Sequence, residues 1–191
     1  MFFILRPCVS IIEDFLNRAR LSDFTYPDIG ESRNTSVNPN YNIDRNTIRI
    51  GHGENDWEKS RQAVRDWKMF AMPWVDLCWP TAPIEKGQTV AVLIRNFGFY
   101  SLNAARIVYV IDEPDRFGFA YGTLLEHGES GEERFSVEID RETGNVNYDI
   151  FAFSKPNHFL ANLGYPLTRM LQKQFATDSK TAMLRAITTI S

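Results

Sequence analysis

Apolar positions along this chain recur at two periods, and the switches between those periods outline its elements. Ile11, Ile12, Phe15, Leu16 and Ala19 fall at helical spacing, which predicts an amphipathic helix ending near Leu21. Ser10, with Glu13 three residues later, reads as a capping box at its start. A second helix is predicted over 54–70, where Trp57, Ser60, Ala63, Val64, Trp67 and Phe70 or Ala71 share a face and Glu58, Lys59, Arg61, Arg65 and Asp66 point away. Met72-Pro73 ends it, because proline lacks the amide donor. Strands are predicted over 2–5, 41–50, 74–79, 89–95 and 106–112, the last apolar enough to be covered on both faces. After Pro156 the helical period returns. Phe159, Leu160 and Leu163 form a first piece, and Leu167, Met170, Leu171, Gln174, Phe175, Ala182 and Ala186 trace one stripe of a closing helix with Pro166 in its first turn.

The stretch 117–153 reads as three consecutive antiparallel strands. Pairing Glu113 with Arg116 across a Pro-Asp turn sets Tyr109 and Ile111 opposite Ala120 and Gly118, Ile107 opposite Gly122, and Val108 and Val110 opposite Tyr121 and Phe119. A row of Gly118, Ala120 and Gly122 lowers strand propensity, so it marks curvature, a closely packed element, or a ligand approaching the backbone. Pairing Asp140 with Asn145 places Phe135, Val137 and Ile139 opposite Ile150, Tyr148 and Val146 on an apolar face. The other face carries Arg134, Ser136 and Glu138, with Arg134 diagonal to Asp149. Residues 125–133, LEHGESGEE, read as a solvated, glycine-punctuated loop, the wrong setting for carboxylates with shifted pKa values.

Residues 25–41 are rich in Asn, Pro, Gly and Ser and predict a long surface loop lying against the fold. Gly51-His52-Gly53-Glu54 between a strand and a helix invites a nucleotide-binding reading. It fails, because position 56 is aspartate where the third glycine belongs, and the acids suit the helix's own N-terminus.

With 191 residues, 43% hydrophobic and 13% aromatic, the chain suffices for one domain, 1–191, with 1–40 packed on its body as a helix and a loop. Its 21 basic and 24 acidic residues leave a net charge of −3, which offers no attraction for nucleic acid or an anionic membrane. No apolar run reaches the length of a membrane span. Cys8 and Cys78 have no metal-ligand spacing, three histidines make no metal set, and no cofactor motif is present. Reduced thiols and the short apolar start point to the cytoplasm; the oligomeric state is not readable.

Strand, helix, six antiparallel strands and a long terminal helix make an α+β order. It resembles the helix-grip, START-like folds, in which a curved antiparallel sheet of six to eight strands wraps a C-terminal helix, and whose members commonly hold apolar molecules in between. A closer resemblance rests on FTYPDIGESR at 24–33, RIVYVIDEP, FGFAYGTL, HGESGEERFSVE, YDIFAFSKP and GYPLTRMLQKQF. These phrases are similar to an uncharacterised bacterial and plant family, domain of unknown function number nineteen-ninety, which carries no activity or catalytic residues to transfer. The expected function is binding of a small apolar or aromatic molecule between sheet and closing helix, lined by Trp67, Tyr109, Tyr121, Phe135, Tyr148, Leu167 and Leu171. The alternatives are a cyclase, hydratase or hydrolase on the same scaffold, using Arg106, Tyr109, Tyr121 or His127 if these converge, and an interaction module built on the 25–41 loop.

Overall fold

The computed structural model describes residues 1–34, 38–125, 127, 129–156 and 165–188, of which Pro156 and 165–168 are described as backbone alone. The predicted closing pieces around Phe159, Leu160 and Leu163 lie outside the described residues. In chain order the elements are β1 (Phe2–Phe3), α1 (Val9–Ala19), β2 (Asn42–His52), α2 (Gly53–Arg65), β3 (Val75–Cys78), β4 (Thr89–Asn96), β5 (Phe99–Asp112), β6 (Arg116–Thr123), β7 (Glu129–Ile139), β8 (Asn145–Pro156) and α3 (Tyr165–Thr188). Seven strands run antiparallel in the order β2-β8-β7-β6-β5-β4-β3, and β1 adds to β5 as the eighth. This is the helix-grip arrangement: a long hairpin-connected sheet curled around the terminal helix.

The curl follows from residue size. A methyl group on Gly118 would lie 2.2 Å from the Phe135 carbonyl oxygen, and one on Gly131 would lie 2.0 Å from that of Phe153. At both points neighbouring strands come closer than any side chain allows, so glycine permits the coiling of β6 on β7 and of β7 on β8. Bulges between Arg49 and Gly51 and between Ile107 and Tyr109 add to the bend. The second bulge shifts two predicted pairings, Ile107 with Gly122 and Val108 with Tyr121. Ala120 and Gly118 face Tyr109 and Ile111 as the turn dictates, but Tyr121 meets Ile107 and Gly122 meets Arg106. The Phe135-Ile150, Val137-Tyr148 and Ile139-Val146 pairs form as the alternation predicts.

Helices cover both sheet faces. On the concave side Trp57, Ala63 and Val64 of α2 and Ala176, Met183 and Ile187 of α3 join Val90, Val92, Phe119, Phe135, Val137, Tyr148 and Ile150 in the main core. On the convex side Ile12, Phe15, Leu16 and Ala19 of α1 pack on Ala91, Leu93, Leu102 and Ala104. The capping box does not form: α1 begins earlier, after Cys8, so Ser10 lies inside the first turn with its hydroxyl 3.1 Å from the Cys8 thiol. The opposite end of α1 is capped from the sheet. Arg106 Nη2 donates to the carbonyls of Ala19, Arg20 and Ser22 at 3.0, 3.1 and 2.9 Å.

Helix α2 is shorter than its apolar spacing predicts. Trp67 turns into the left-handed region, at φ 55°, and a 3₁₀ turn over Lys68–Phe70 follows. That break lets the Trp67 indole donate to the Ala82 carbonyl at 2.8 Å while its ring meets Phe119. At the start of α2, Asp56 Oδ2 accepts the His52 amide at 2.9 Å, so the carboxylate serves the helix's own first turn. Along α3 the buried line is Ala176, Ser179, Ala182, Met183 and Ile187, whereas Met170 is 48% exposed and Gln174 is exposed. The stripe drifts because polar Ser179 is drawn inward, where its hydroxyl meets that of Tyr148 at 2.8 Å.

Candidate functional site

Strand alternation sends Phe117, Phe119 and Tyr121 of β6 and Val137, Phe135 and Glu133 of β7 toward the helices. Their rings form a continuous lining. Tyr121 lies 5.5 Å from Phe135, Phe135 lies 5.6 Å from Phe119 and from Phe70, and Phe175 of α3 closes on Phe70 and Phe135 at 5.5 and 6.2 Å. Under α2 this lining is sealed. Under the first half of α3 it is not: Glu133, Ala152, Leu171, Gln172 and Phe175 all retain partial exposure. These partly accessible side chains meet where α3 crosses β7 and β8.

Glu133 is the polar group at that crossing. Burial pushes its carboxyl up to about 7, against the opposing effect of the Tyr121 hydroxyl, which donates to Oε2 at 2.8 Å, and with smaller upward contributions from Glu129 and Asp44. Desolvation also holds the Tyr121 and Tyr148 hydroxyls far above their ordinary range. Glu129 is likewise raised by burial, although the Gln172 amide donates to it and Arg169 lies nearby. Arg169 clamps Asp44 of β2 with both terminal nitrogens, one of them at 2.7 Å, and so ties the start of α3 to the sheet edge.

The predicted lining residues separate into three groups. Leu171 is partly exposed at this crossing, and Tyr121, 8% exposed, reaches it through Glu133, whereas Phe135 is sealed behind them at 0% exposure. Trp67 and Tyr148 face the same side but are sealed in the core, at 2% and 0% exposure, and Tyr148 serves to dock α3. Tyr109 is on the opposite face, a correction to the predicted set: it shares the convex side with the small residues of β6, and its hydroxyl meets Ser32 at 2.6 Å beneath the Arg33 guanidinium. The Leu167 side chain lies outside the described residues. The candidates for chemistry do not converge either. Arg106 caps α1, Tyr109 faces outward, and His127 lies in the β6–β7 connection, where its Nδ1 accepts the Glu129 amide at 3.1 Å and desolvation lowers its pKa to about 4.

Reading 125–133 as a solvated loop is also corrected, because β7 starts at Glu129. Continuing the alternation of Phe135, Val137 and Ile139 backward would have placed Glu133 and Glu129 on the inner face. Gly131 looked like a loop residue but is demanded by strand contact. The same strand puts Glu132 on the convex face at 2% exposure. There its carboxylate accepts the Tyr26 hydroxyl at 2.7 Å, the Gly30 amide at 2.8 Å, the Ser32 amide at 3.1 Å and the Ser32 hydroxyl. Arg134, expected on an exposed face, is 9% exposed; it donates to the Ser32 carbonyl at 2.6 Å and to Asp149 at 2.9 Å. Residues 24–34 are thus latched to the sheet, which removes them as a free contact loop. Gly122 completes the latch, since a methyl group there would lie 2.1 Å from the Tyr26 hydroxyl. Gly122→Ala is expected to destabilise the fold by about 1–3 kcal/mol, read as a lowered urea midpoint at unchanged slope.

Comparison with known proteins places this arrangement. The model of the family described as a domain of unknown function, DUF1990, matches residues 25–182. A UPF0548 protein of Dictyostelium discoideum is 35% identical over 207 residues, covering 98% of this chain and 96% of its own. The chain belongs to the DUF1990 family. A UPF0548 protein of Deinococcus radiodurans is 33% identical over 199 residues, covering 97% and 98% of the two chains. The DUF1990 match takes in the latch segment, both buried glutamates and most of α3, and leaves β1 and α1 outside it. A crystal structure of a hypothetical protein from Helicobacter pylori, 14% identical, superposes with a TM-score of 0.50 over 76% of this chain and 85% of that one, a likeness of fold. None of the described helices is long and apolar enough to cross a membrane.

Two shallow clefts lie elsewhere on the surface. One, of about 480 Å³, runs between α1 and the β3–β4 connection past Arg20, Cys78 and Trp79. The other, of about 560 Å³, lies on the convex face around Arg116, Glu138 and Asp149.

Proposed function

We propose that this DUF1990 protein binds a small, largely apolar molecule in the recess between α3 and the concave face of β6, β7 and β8, with the polar end of that molecule at Glu133 and Tyr121. The observation that carries this reading is the setting of Glu133: a partly accessible carboxyl that takes the Tyr121 hydroxyl at the edge of an aromatic core. A carboxyl in such surroundings is poorly hydrated and keeps acceptor capacity for the polar end of a ligand. A buried carboxyl brings no stability to an aromatic core, and its presence there suits a site better than a fold. The helix-grip scaffold supports the same reading, because a terminal helix packed on a curved sheet can leave room between the two.

The test is titration of refolded, delipidated protein with the neutral fluorescent probe N-phenyl-1-naphthylamine. Saturable binding with a Kd on the order of micromolar is expected. Leu171→Trp, which fills the recess from the α3 side, should weaken it by at least about tenfold while the circular dichroism spectrum is unchanged. Probe fluorescence that rises without saturation, or that is indifferent to Leu171→Trp, would remove the reading.

A further inference from the structure

Resting on that reading, we infer that the molecule held in the recess carries a positively charged nitrogen, seated against the Glu133 carboxylate beside the rings of Tyr121 and Phe175.

The charges around the recess point to a cation. Glu129 and Glu133 both project from the inner face of β7, and Asp44 joins them from β2. Arg169 is the cation that α3 brings there, and it is held by Asp44 and by Gln172, whose side-chain oxygen accepts from it at 2.7 Å. Further along α3, Lys180 donates to Asn46 at 3.4 Å and Asp178 accepts the Trp74 indole at 2.8 Å. From β6 and β8 the titratable groups are the hydroxyls of Tyr121 and Tyr148, and the inward residues of α2 (Trp57, Ser60, Ala63 and Val64) carry no charge. Among the described residues the charges around the recess are therefore negative on balance. A fatty acid or phosphorylated lipid would set its head group against Glu133 and Glu129, whereas an ammonium would find a partner there.

The rings supply an independent reason. Tyr121 touches Glu133 through its hydroxyl and packs 5.5 Å from Phe135, and Phe175 lies 6.2 Å beyond. Aromatic faces attract cations, most strongly where water is excluded. The chemistry of the wall and the sign of the charge thus agree on one head group. Tyr121 occupies Oε2 alone, and Oε1 has no hydrogen-bond partner among the described residues, so the carboxylate keeps acceptor capacity for a ligand.

The experiment compares three ligands with one tail: decyltrimethylammonium, decanol and decanoate, each titrated calorimetrically into the full chain. At pH 8 the cation should bind at least about tenfold more tightly than decanol, with decanoate weakest. Its affinity should climb about tenfold from pH 6 to pH 8, as Glu133 gives up its proton, because a quaternary head has none to lose. Glu133→Gln should erase both the preference and the pH dependence, so that cation and decanol bind with similar affinity at pH 6 and pH 8. If decanol or decanoate binds as tightly as the cation, or if the preference survives in Glu133→Gln, the inference is overturned while the recess stands. If none of the three binds, both readings fall.

Discussion

Glu132→Ala is expected to remove about 3–5 kcal/mol of stability, a large fraction of the roughly 5–15 kcal/mol that a folded domain possesses. The wild-type carboxylate takes the Tyr26 hydroxyl, two backbone amides and the Ser32 hydroxyl, and alanine would leave those buried donors without an acceptor. The penalty comes from desolvated donors left unpaired, more than from the lost bonds themselves. Tyr26 shows how dry the site is: burial first, and then the neighbouring carboxylate, hold its hydroxyl protonated far above its ordinary range. Glu132→Gln should fall between wild type and alanine, since an amide keeps one acceptor oxygen but points a donor at donors. Urea unfolding measures the loss, and limited proteolysis locates it, with cleavage inside 25–41 appearing first. A loss below about 1 kcal/mol with no new cleavage would mean that the latch is not what holds this segment.

The second expectation has the opposite sign. Glu133→Gln should raise stability by about 1–3 kcal/mol at pH 8 and change it little at pH 4. The carboxyl titrates near its ordinary 4.5 in the unfolded chain and near 7 in the fold. Below pH 4.5 it is protonated in both states and exerts no pH-linked penalty. Between 4.5 and 7 the native state holds a proton the unfolded chain has released, so stability falls as pH rises, and above 7 the penalty is constant. Partial exposure softens the upper figure. Paired thermal melts of wild type and variant at the two pH values would show the gap opening with pH. Equal melting shifts at pH 4 and pH 8 would refute the buried titration. A residue that destabilises its own fold at working pH, within an aromatic recess, fits a site retained for what it binds.

The two glutamates are adjacent in the chain and face opposite ways, which shows where sequence reasoning succeeds and where it stops. Alternation from Phe135 to Ile139, and the turn pairing Asp140 with Asn145, yields the β7–β8 register residue by residue, because both are local properties of an extended chain. The predicted Arg134–Asp149 diagonal forms for the same reason. Glu129, Glu132 and Glu133 were hidden by composition: four acids and two glycines in nine residues look solvated unless the partners that bury them are known. Those partners are about a hundred residues away, in the 26–32 segment, or on α3, and no spacing rule reaches them.

Periodicity and turn chemistry thus account for the helices α1 and α2 and for the antiparallel succession from β5 to β8, since each depends on contacts between near neighbours or on hairpins closed by a few residues, whereas the pairing of β2 with β8 joins segments about a hundred residues apart. The direction of curl, the identity of the covered faces and the place of the recess depend on long-range packing. Tyr109 and Tyr121 are equally aromatic on paper; only the small-residue row of β6 taken up by the 24–34 segment sends one outward and leaves the other beside Glu133. The chain's local pattern sets which side chains share a face, and burial against distant segments sets what each face does, because desolvation is a property of the surroundings.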